Sequence, residues 1–595
     1  MRLESRPPRS REKGKQPPDT KQRPPTLNYF RLLLVWSVLF AGVLGLGLKL
    51  YQLQIVRGSA LLEKARQQQM VELQPFIPRR SVVDRNGNVL ALDQPVYTLY
   101  AHPRLFKVSR EVVAKHLAPI LNRPSVELLK QFKLRDSGIR IAPALAEDIA
   151  AKVSKEHISG LELIQTYSRL YPQQDLVADV LGYVDANRHG QAGVEYSQNK
   201  LLERSIQTLR LTKTGNGALM SDYFPEGFVH GDDLRLQLTL DSRLQRVARL
   251  ALRQQIQQFS AKRGTVIVMD VQDGSLLTMV TEPSYDPNEY NKKSNVKLFK
   301  NWAVSDLYEP GSTLKPLNVA IALETGAIKP NSVFNDSGLI KVGGWQITNA
   351  EGEHHGPLTI AQILQYSSNV GMVQVMQKMK PEDYYSWLKR LGMGQTLGTD
   401  LPFEVPSQLK NQKQFISSPI EPATASFGQG ISITPLQLVQ LHGALANGGK
   451  LVTPHVVRGL FSSKGQLYWQ PSLPQSRQVF SSATTQKVLE MMETVVKEGT
   501  GQSAQIPGYR IAGKTGTAQK PSSNGGYSNA QITSFVGILP VESPRYVVLA
   551  VVDEAKGNFF GSVVAAPIVK SVMEALLTIE RIPSTQPIVQ STPSH

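Results

Sequence analysis

The chain has 595 residues, 41% of them hydrophobic, which allows more than one globular domain. Cysteine is absent, so a disulfide framework and a thiolate-liganded metal are both excluded. The formal net charge is +18, and part of that excess sits in the first residues.

Residues 1–26 are rich in Pro, Arg and Lys and poor in apolar side chains, the composition of a disordered tail. Arg2, Arg6, Arg9, Arg11, Lys13, Lys15, Lys21, Arg23 and Arg31 face only Glu4, Glu12 and Asp19. Leu32 to Leu48 is then free of charge and bounded by Arg31 and Lys49, so 27–50 reads as a membrane anchor. The basic flank places residue 1 in the cytoplasm and everything after Lys49 outside. A cleaved signal peptide is the competing reading; the long basic stretch and the lack of a small-x-small site speak against it.

Tyr51 to Val71 continues with helical periodicity. The segment to about Phe228 shows short strand-like runs and Pro/Gly turns. Leu236-Gln-Leu-Thr-Leu-Asp241 reads as a strand leading into a helix from Ser242.

Glu309-Pro-Gly-Ser312-Thr-Leu-Lys315 then opens a strongly apolar helix. A serine in the first turn and a lysine three residues on share one face, so the amine reaches the hydroxyl near the positive end of the helix. Ser367-Ser-Asn369 lies at a break between two apolar-periodic segments, where Ser367 and Asn369 face a cleft or merely cap a helix. Lys514-Thr515-Gly516-Thr517 sits in a strand after Tyr509-Arg-Ile-Ala-Gly, with Gln531 to Leu539 and Tyr546 to Asp553 as the next strands. Glycine at 513 and 516 would let an extended ligand approach that strand.

Each string has decoys. Ser-x-x-Lys recurs at Ser10, Ser197, Ser294, Ser386 and Ser407, Lys-Thr-Gly at Lys213, and Ser-x-Asn at Ser197 and Ser522. Order and apolar setting single out the set at 312, 367 and 514; Lys213, followed by Asn-Gly, reads as a turn. His354 and His355, near Glu351 and Glu353, lack a metal-ligand spacing and read as solvated loop residues. After Ile582 the chain is rich in Ser, Thr, Pro and Gln and reads as disordered.

The three motifs in this order resemble those of a penicillin-binding protein, specifically a class B, monofunctional D,D-transpeptidase. Val83-Asp-Arg-Asn-Gly, Arg169-Leu-Tyr-Pro, Leu181-Gly-Tyr-Val and Gly193-Val-Glu195 resemble its non-catalytic module. Gly264-Thr-Val-Ile-Val-Met-Asp, Phe427-Gly-Gln-Gly and Asn447-Gly-Gly resemble its catalytic one. Ser81 stands where the family commonly has glycine, and Asn558-Phe-Phe-Gly561 where Tyr-Gly-Gly is common.

The resemblance implies an α+β protein: a transpeptidase domain of the penicillin-binding and serine β-lactamase type, with an antiparallel sheet flanked by helices plus a helical subdomain. An elongated N-terminal pedestal (51–235) precedes it, the transpeptidase domain spans 236–581, and 582–595 is a tail. It implies Ser312 as nucleophile, Lys315 as base and Ser367 as proton relay. Asn369, Lys514, Thr515, Gly516 and Thr517 would bind the substrate, with no cofactor or metal. The expected partners are peptidoglycan stem peptides, the lipid-linked precursor, the plasma membrane and β-lactams as inhibitors. A multi-spanning glycosyltransferase of FtsW/RodA type and other division proteins complete the set, with no nucleic acid. Ser367-Ser-Asn-Val-Gly and Lys514-Thr-Gly-Thr-Ala resemble the division type; side-wall elongation, a serine β-lactamase or D,D-carboxypeptidase, and a β-lactam sensor are the alternatives.

Overall fold

The computed structural model describes residues 29–73, 77–204, 209–213, 219–220, 232–292, 296–522, 526–557 and 560–587. They fall into two compact units, 1–75 with 207–228, and 76–206 with 229–595.

In the first unit, helix α1 (Tyr29–Tyr51) is 23 residues long, about 35 Å at the α-helical rise, enough for a bilayer core. Its large apolar side chains, among them Trp36, Phe40 and Leu44, are all exposed. A π-helical turn (Gln52–Val56) leads into α2 (Gly58–Gln69). The helical periodicity expected to Val71 ends at Gln69, because Met70–Leu73 pairs as a strand with Leu209–Lys213. Lys213 therefore closes a strand, and the turn expected after it lies outside the described residues.

In the second unit, strands β1 (Ser81–Val83), β2 (Val89–Ala101), β3 (Ile139–Leu145) and β4 (Leu161–Leu170) build one side of a seven-stranded sheet. β5 (Arg235–Leu238) joins it, parallel to β1 with Val82 opposite Leu236, and antiparallel to a strand at Val457–Phe461. The expected strand at 236 and the helix after it, α3 (Ser242–Gln258), are both present, and the boundary expected at 235/236 falls inside β5.

Two of the family-like strings meet in a buried charge cluster. Arg169 Nε lies 2.7 Å from Glu195, which also receives Arg79 at 2.9 Å. A second cluster ties the N-terminal module to α3, where Arg249 pairs with Asp179 and, at 2.8 Å, with Glu282. Buried charges of this kind persist only when paired and hydrogen-bonded.

The C-terminal, motif-bearing region is built on β6 (Arg263–Asp270), β7 (Leu276–Glu282), and three later strands: β10 (Ala512–Pro521), β11 (Tyr527–Leu539) and β12 (Tyr546–Asp553). Two short intervening strands, β8 (Val333–Asp336) and β9 (Gly356–Thr359), pair with each other. The large sheet runs β7-β6-β12-β11-β10 and is antiparallel throughout, so β10 is an edge. β6, β7 and β12 read as near-continuous apolar runs because helices cover both faces. Alternation sends Val266, Val268, Val548 and Ala550 to one face, under α3 and the C-terminal helix Ala566–Ile579. Ile267, Met269, Val547 and Leu549 go to the other, where the helices of the motif-bearing subdomain pack. The stretch from Gly561 to Ile579 is apolar enough to cross a membrane, yet half of it is buried against this sheet, as a core helix would be.

The tail from 582 is described as far as 587, where Thr585 and Gln586 donate their amides to Gly508 O; 588–595 lie outside the described residues.

Candidate active site

Ser312 sits in a single 3-10 turn (Gly311–Leu314) that runs straight into α4 (Lys315–Glu324), with Pro316 in its first turn. Residues 315–322 are all buried, so α4 is the central helix that its apolar sequence predicts. Ser312 itself is half-buried and Lys315 fully buried. The turn is pinned from three directions: Gly311 N donates to Gly428 O at 3.0 Å, Thr313 Oγ1 to Pro310 O at 2.7 Å, and His442 Nε2 lies 2.8 Å from Thr313 O. Gly428 has φ +83, and a Cβ there would come within 2.1 Å of Gly311 O, so only glycine fits.

The second motif joins α5 (Ile360–Gln365) to α6 (Asn369–Met376). The break read from the sequence is real: Ser367 takes φ +58, a left-handed conformation costly for a non-glycine residue. Ser368 caps α6, accepting from Gly371 N at 2.8 Å. The capping reading thus holds for Ser368, and Ser367 is left to face the lysines.

The third motif lies on the edge strand β10, with Lys514 opposite Val536 and Gly516 opposite Ser534. Lys514 is fully buried. The glycines differ from expectation, since the space they leave is filled by protein. A Cβ at Gly516 would meet Ser534 Oγ at 2.5 Å and Thr313 Cγ2 at 2.9 Å, and one at Gly513 would meet Phe535 Cζ at 2.7 Å.

Together the motifs bring two buried lysine amines to one hydroxyl. Lys514 Nζ lies 2.9 Å from Ser367 Oγ, and Lys315 Nζ lies 3.3 Å from it. Lys315 also donates to Ser367 O and, at 2.8 Å, to Asn369 Oδ1. Burial, reinforced by the Lys514 charge, pushes the Lys315 amine well below its ordinary range. Burial likewise brings Lys514 down to about 7. Such a pair can hold a neutral amine near neutral pH, which a proton-abstracting group requires.

In front of these groups lies a cavity of about 340 Å³, lined by Ser312, Ser367, Asn369, Thr515, Thr517 and Phe560, among others. Thr515 Oγ1 is 2.8 Å from Thr500 Oγ1, and Thr517 Oγ1 accepts from Gly561 N at 3.3 Å. Of the unusual string at 558–561, Phe560 and Gly561 line the cavity, and 558–559 lie outside the described residues.

Several supporting residues were missed by the motif reading. Glu309 Oε1 accepts from Gly430 N and Oε2 from Tyr527 Oη, each at 3.0 Å, fastening the β10–β11 hairpin beside the Ser312 turn. His442 is fully buried, and burial lowers it to about 4, so it faces Thr313 O as a neutral imidazole. Only Glu309 had a signal, in the Glu-Pro-Gly-Ser run. The decoys stay apart: Ser386 is exposed and bonds Glu382 O, Ser407 accepts from Gly394 N, and Ser10 and Ser294 lie outside the described residues. His355 stacks on Tyr366 at 4.5 Å, and no cluster of three potential metal ligands occurs among the described residues.

The penicillin-binding protein transpeptidase domain model matches residues 264–574, and the penicillin-binding protein dimerisation domain model matches 77–234. The peptidoglycan D,D-transpeptidase FtsI homolog of Mesostigma viride is 43% identical, over 94% of this chain and 97% of that protein. Stage V sporulation protein D of Bacillus subtilis is 30% identical over 88% and 82%. Among solved structures, penicillin-binding protein 3 of Mycobacterium tuberculosis complexed with aztreonam has a TM-score of 0.66 at 27% identity, covering 87% of this chain and 100% of that one. A peptidoglycan synthetase from Bifidobacterium adolescentis has a TM-score of 0.68 at 25% identity, covering 89% and 99%.

Proposed function

The chain belongs to the penicillin-binding protein transpeptidase family, and from that membership we propose a class B peptidoglycan D,D-transpeptidase that cross-links stem peptides through an acyl-enzyme on Ser312. The observation that carries this reading is the convergence of Lys315 and Lys514 on Ser367 Oγ behind the Ser312 cavity.

Lys315, neutral because it is buried beside a second cation, takes the Ser312 proton as Oγ attacks the carbonyl between the two terminal D-alanines. The backbone N–H groups of Ser312 and Thr517 receive the oxyanion. The proton passes through Ser367 to the departing D-alanine amine, and the C–N bond breaks to leave an ester on Ser312. Asn369 holds the peptide amide, Lys514 stabilises the negative charge of the complex, and Thr515 and Thr517 bind the terminal carboxylate along the edge strand at Gly516. The amine of a second stem peptide then attacks the ester, Ser312 recovers its proton, and the cross-link is made. A β-lactam carbonyl enters the same site and remains as the ester.

The FtsI-named relatives support a role in septal wall synthesis. The exposed apolar α1 supports a single-pass anchor in the plasma membrane, with residue 1 cytoplasmic and the catalytic part extracytoplasmic. The modules are an anchor at 27–50, a pedestal to about 235 and a transpeptidase domain to 581, working beside a multi-spanning glycosyltransferase of FtsW/RodA type and other division proteins. The match of 77–234 to the dimerisation model weighs against the β-lactamase reading. Labelling with a fluorescent penicillin tests the assignment: a stable adduct on the wild type, absent from Ser312→Ala, is expected, and an unlabelled wild type overturns it.

A further inference from the structure

The second motif is held from behind by two residues outside the three motifs. Asp336, the last residue of β8, is 1% exposed. Both of its carboxylate oxygens accept from Asn349 Nδ2 at 2.8 Å, and Oδ1 also accepts from Gly338 N at 3.0 Å. Asn349 Oδ1 in turn accepts from Asn369 N at 2.7 Å and from Val370 N at 3.1 Å. Those are the first two amides of α6, donors that have no partner inside the helix. Asn369 Oδ1 then receives Lys315, and its Nδ2 donates to Thr348 O at 2.9 Å. One continuous run of bonds thus leads from a buried carboxylate to the amine of the base. A buried carboxylate is expensive unless satisfied, and an apolar residue at 336 would avoid that cost.

We propose that Asp336 is a positioning residue for acyl transfer: through Asn349 it fixes the start of α6, and hence the Asn369 oxygen that receives Lys315. The proposal rests on the transpeptidase reading above. Lys315 on α4 and Lys514 on β10 are the buried amines beside this chain of bonds. The 350–355 loop brings Glu351, Glu353 and His354, all exposed, and the half-buried His355, whose backbone N donates to Asp336 O. Solvent screens the exposed groups, so among the described residues Asp336 is the buried carboxylate that acts on Lys315. It favours the charged form of Lys315 and opposes the downward push of burial and Lys514. Removing its charge therefore lowers the pH at which Lys315 becomes neutral.

The test compares acylation by a fluorescent penicillin across pH for the full-length wild type, Ser312→Ala, Asn349→Ala and Asp336→Asn. Asn349→Ala is expected to slow acylation about tenfold, the equivalent of one lost bond to a charged group, with the acidic limb of the rate profile unmoved. Asp336→Asn is expected to slow it comparably and to move that limb to lower pH. Wild-type rates in Asp336→Asn, or an unmoved limb, overturn the proposal. If Asp336→Asn does not fold, a wild-type rate in Asn349→Ala overturns it. A wild type that does not label at all overturns the transpeptidase reading instead.

Discussion

Lys514 Nζ and Ser367 Oγ lie 2.9 Å apart although their residues are 147 positions apart in the chain. Ser367 reaches that position only through a left-handed φ of +58, so the fold holds a strained residue where the third motif meets the second. The same oxygen is 3.3 Å from Lys315 Nζ, so it lies between the two lysines, where the proposed mechanism hands a proton on to the leaving amine.

Ser367→Ala removes that crossing point and leaves both amines in place. Acylation is expected to fall by about 10²-fold or more, the range for losing a proton-transfer group. Stopped-flow acylation with a chromogenic cephalosporin, at unchanged melting temperature, checks it.

Lys514, lowered to about 7 in the folded protein, titrates near 10.5 when unfolded. Between these values the unfolded state binds more protons, so stability rises with pH across this window as the cost of burying a charge disappears. Lys514→Met is expected to flatten that rise. Thermal unfolding of both forms at neutral and alkaline pH decides it.

Gly428→Ala drives a Cβ to within 2.1 Å of the Gly311 carbonyl and so shifts the turn that carries Ser312. A misplacement of about 1 Å in a reacting group costs about 100-fold in rate. Acylation is expected to drop by that factor, with penicillin binding before acylation less affected, as separate measurement of the two steps shows.

Arg249→Ala leaves the buried Asp179 without its cation, while Glu282 keeps Arg253 at 2.6 Å. Breaking a buried pair on one side costs about 3–5 kcal/mol. Denaturant unfolding is expected to show a loss of that size, and Arg249→Lys to recover part of it.

The motifs were legible because each is local. Ser312 and Lys315 need only one helical turn, Ser367 and Asn369 one helix break, and Lys514 to Thr517 one strand. The two-face burial of β6 and β12 was likewise written in their apolar runs. Asp336, Asn349 and His442 left no trace, since their chemistry arises only on folding: His442 meets Thr313 across 129 positions, and Asn349 meets Asn369 across 20. Gly513 and Gly516 show the limit of a local rule. Their presence was visible, but whether the freed space goes to ligand or to Thr313 and Phe535 depends on what packs behind the strand.

β5 takes Ser81–Val83 on one side and Val457–Phe461 on the other, so the chain's two modules are stitched into a single hydrogen-bonded fabric. A protein cut at residue 235 to isolate the catalytic part would carry β5 with one flank bare, a free edge open to pairing with a neighbouring chain. The smallest soluble fragment worth expressing therefore begins before Arg79, whose pairing with Glu195 lies just upstream of β1.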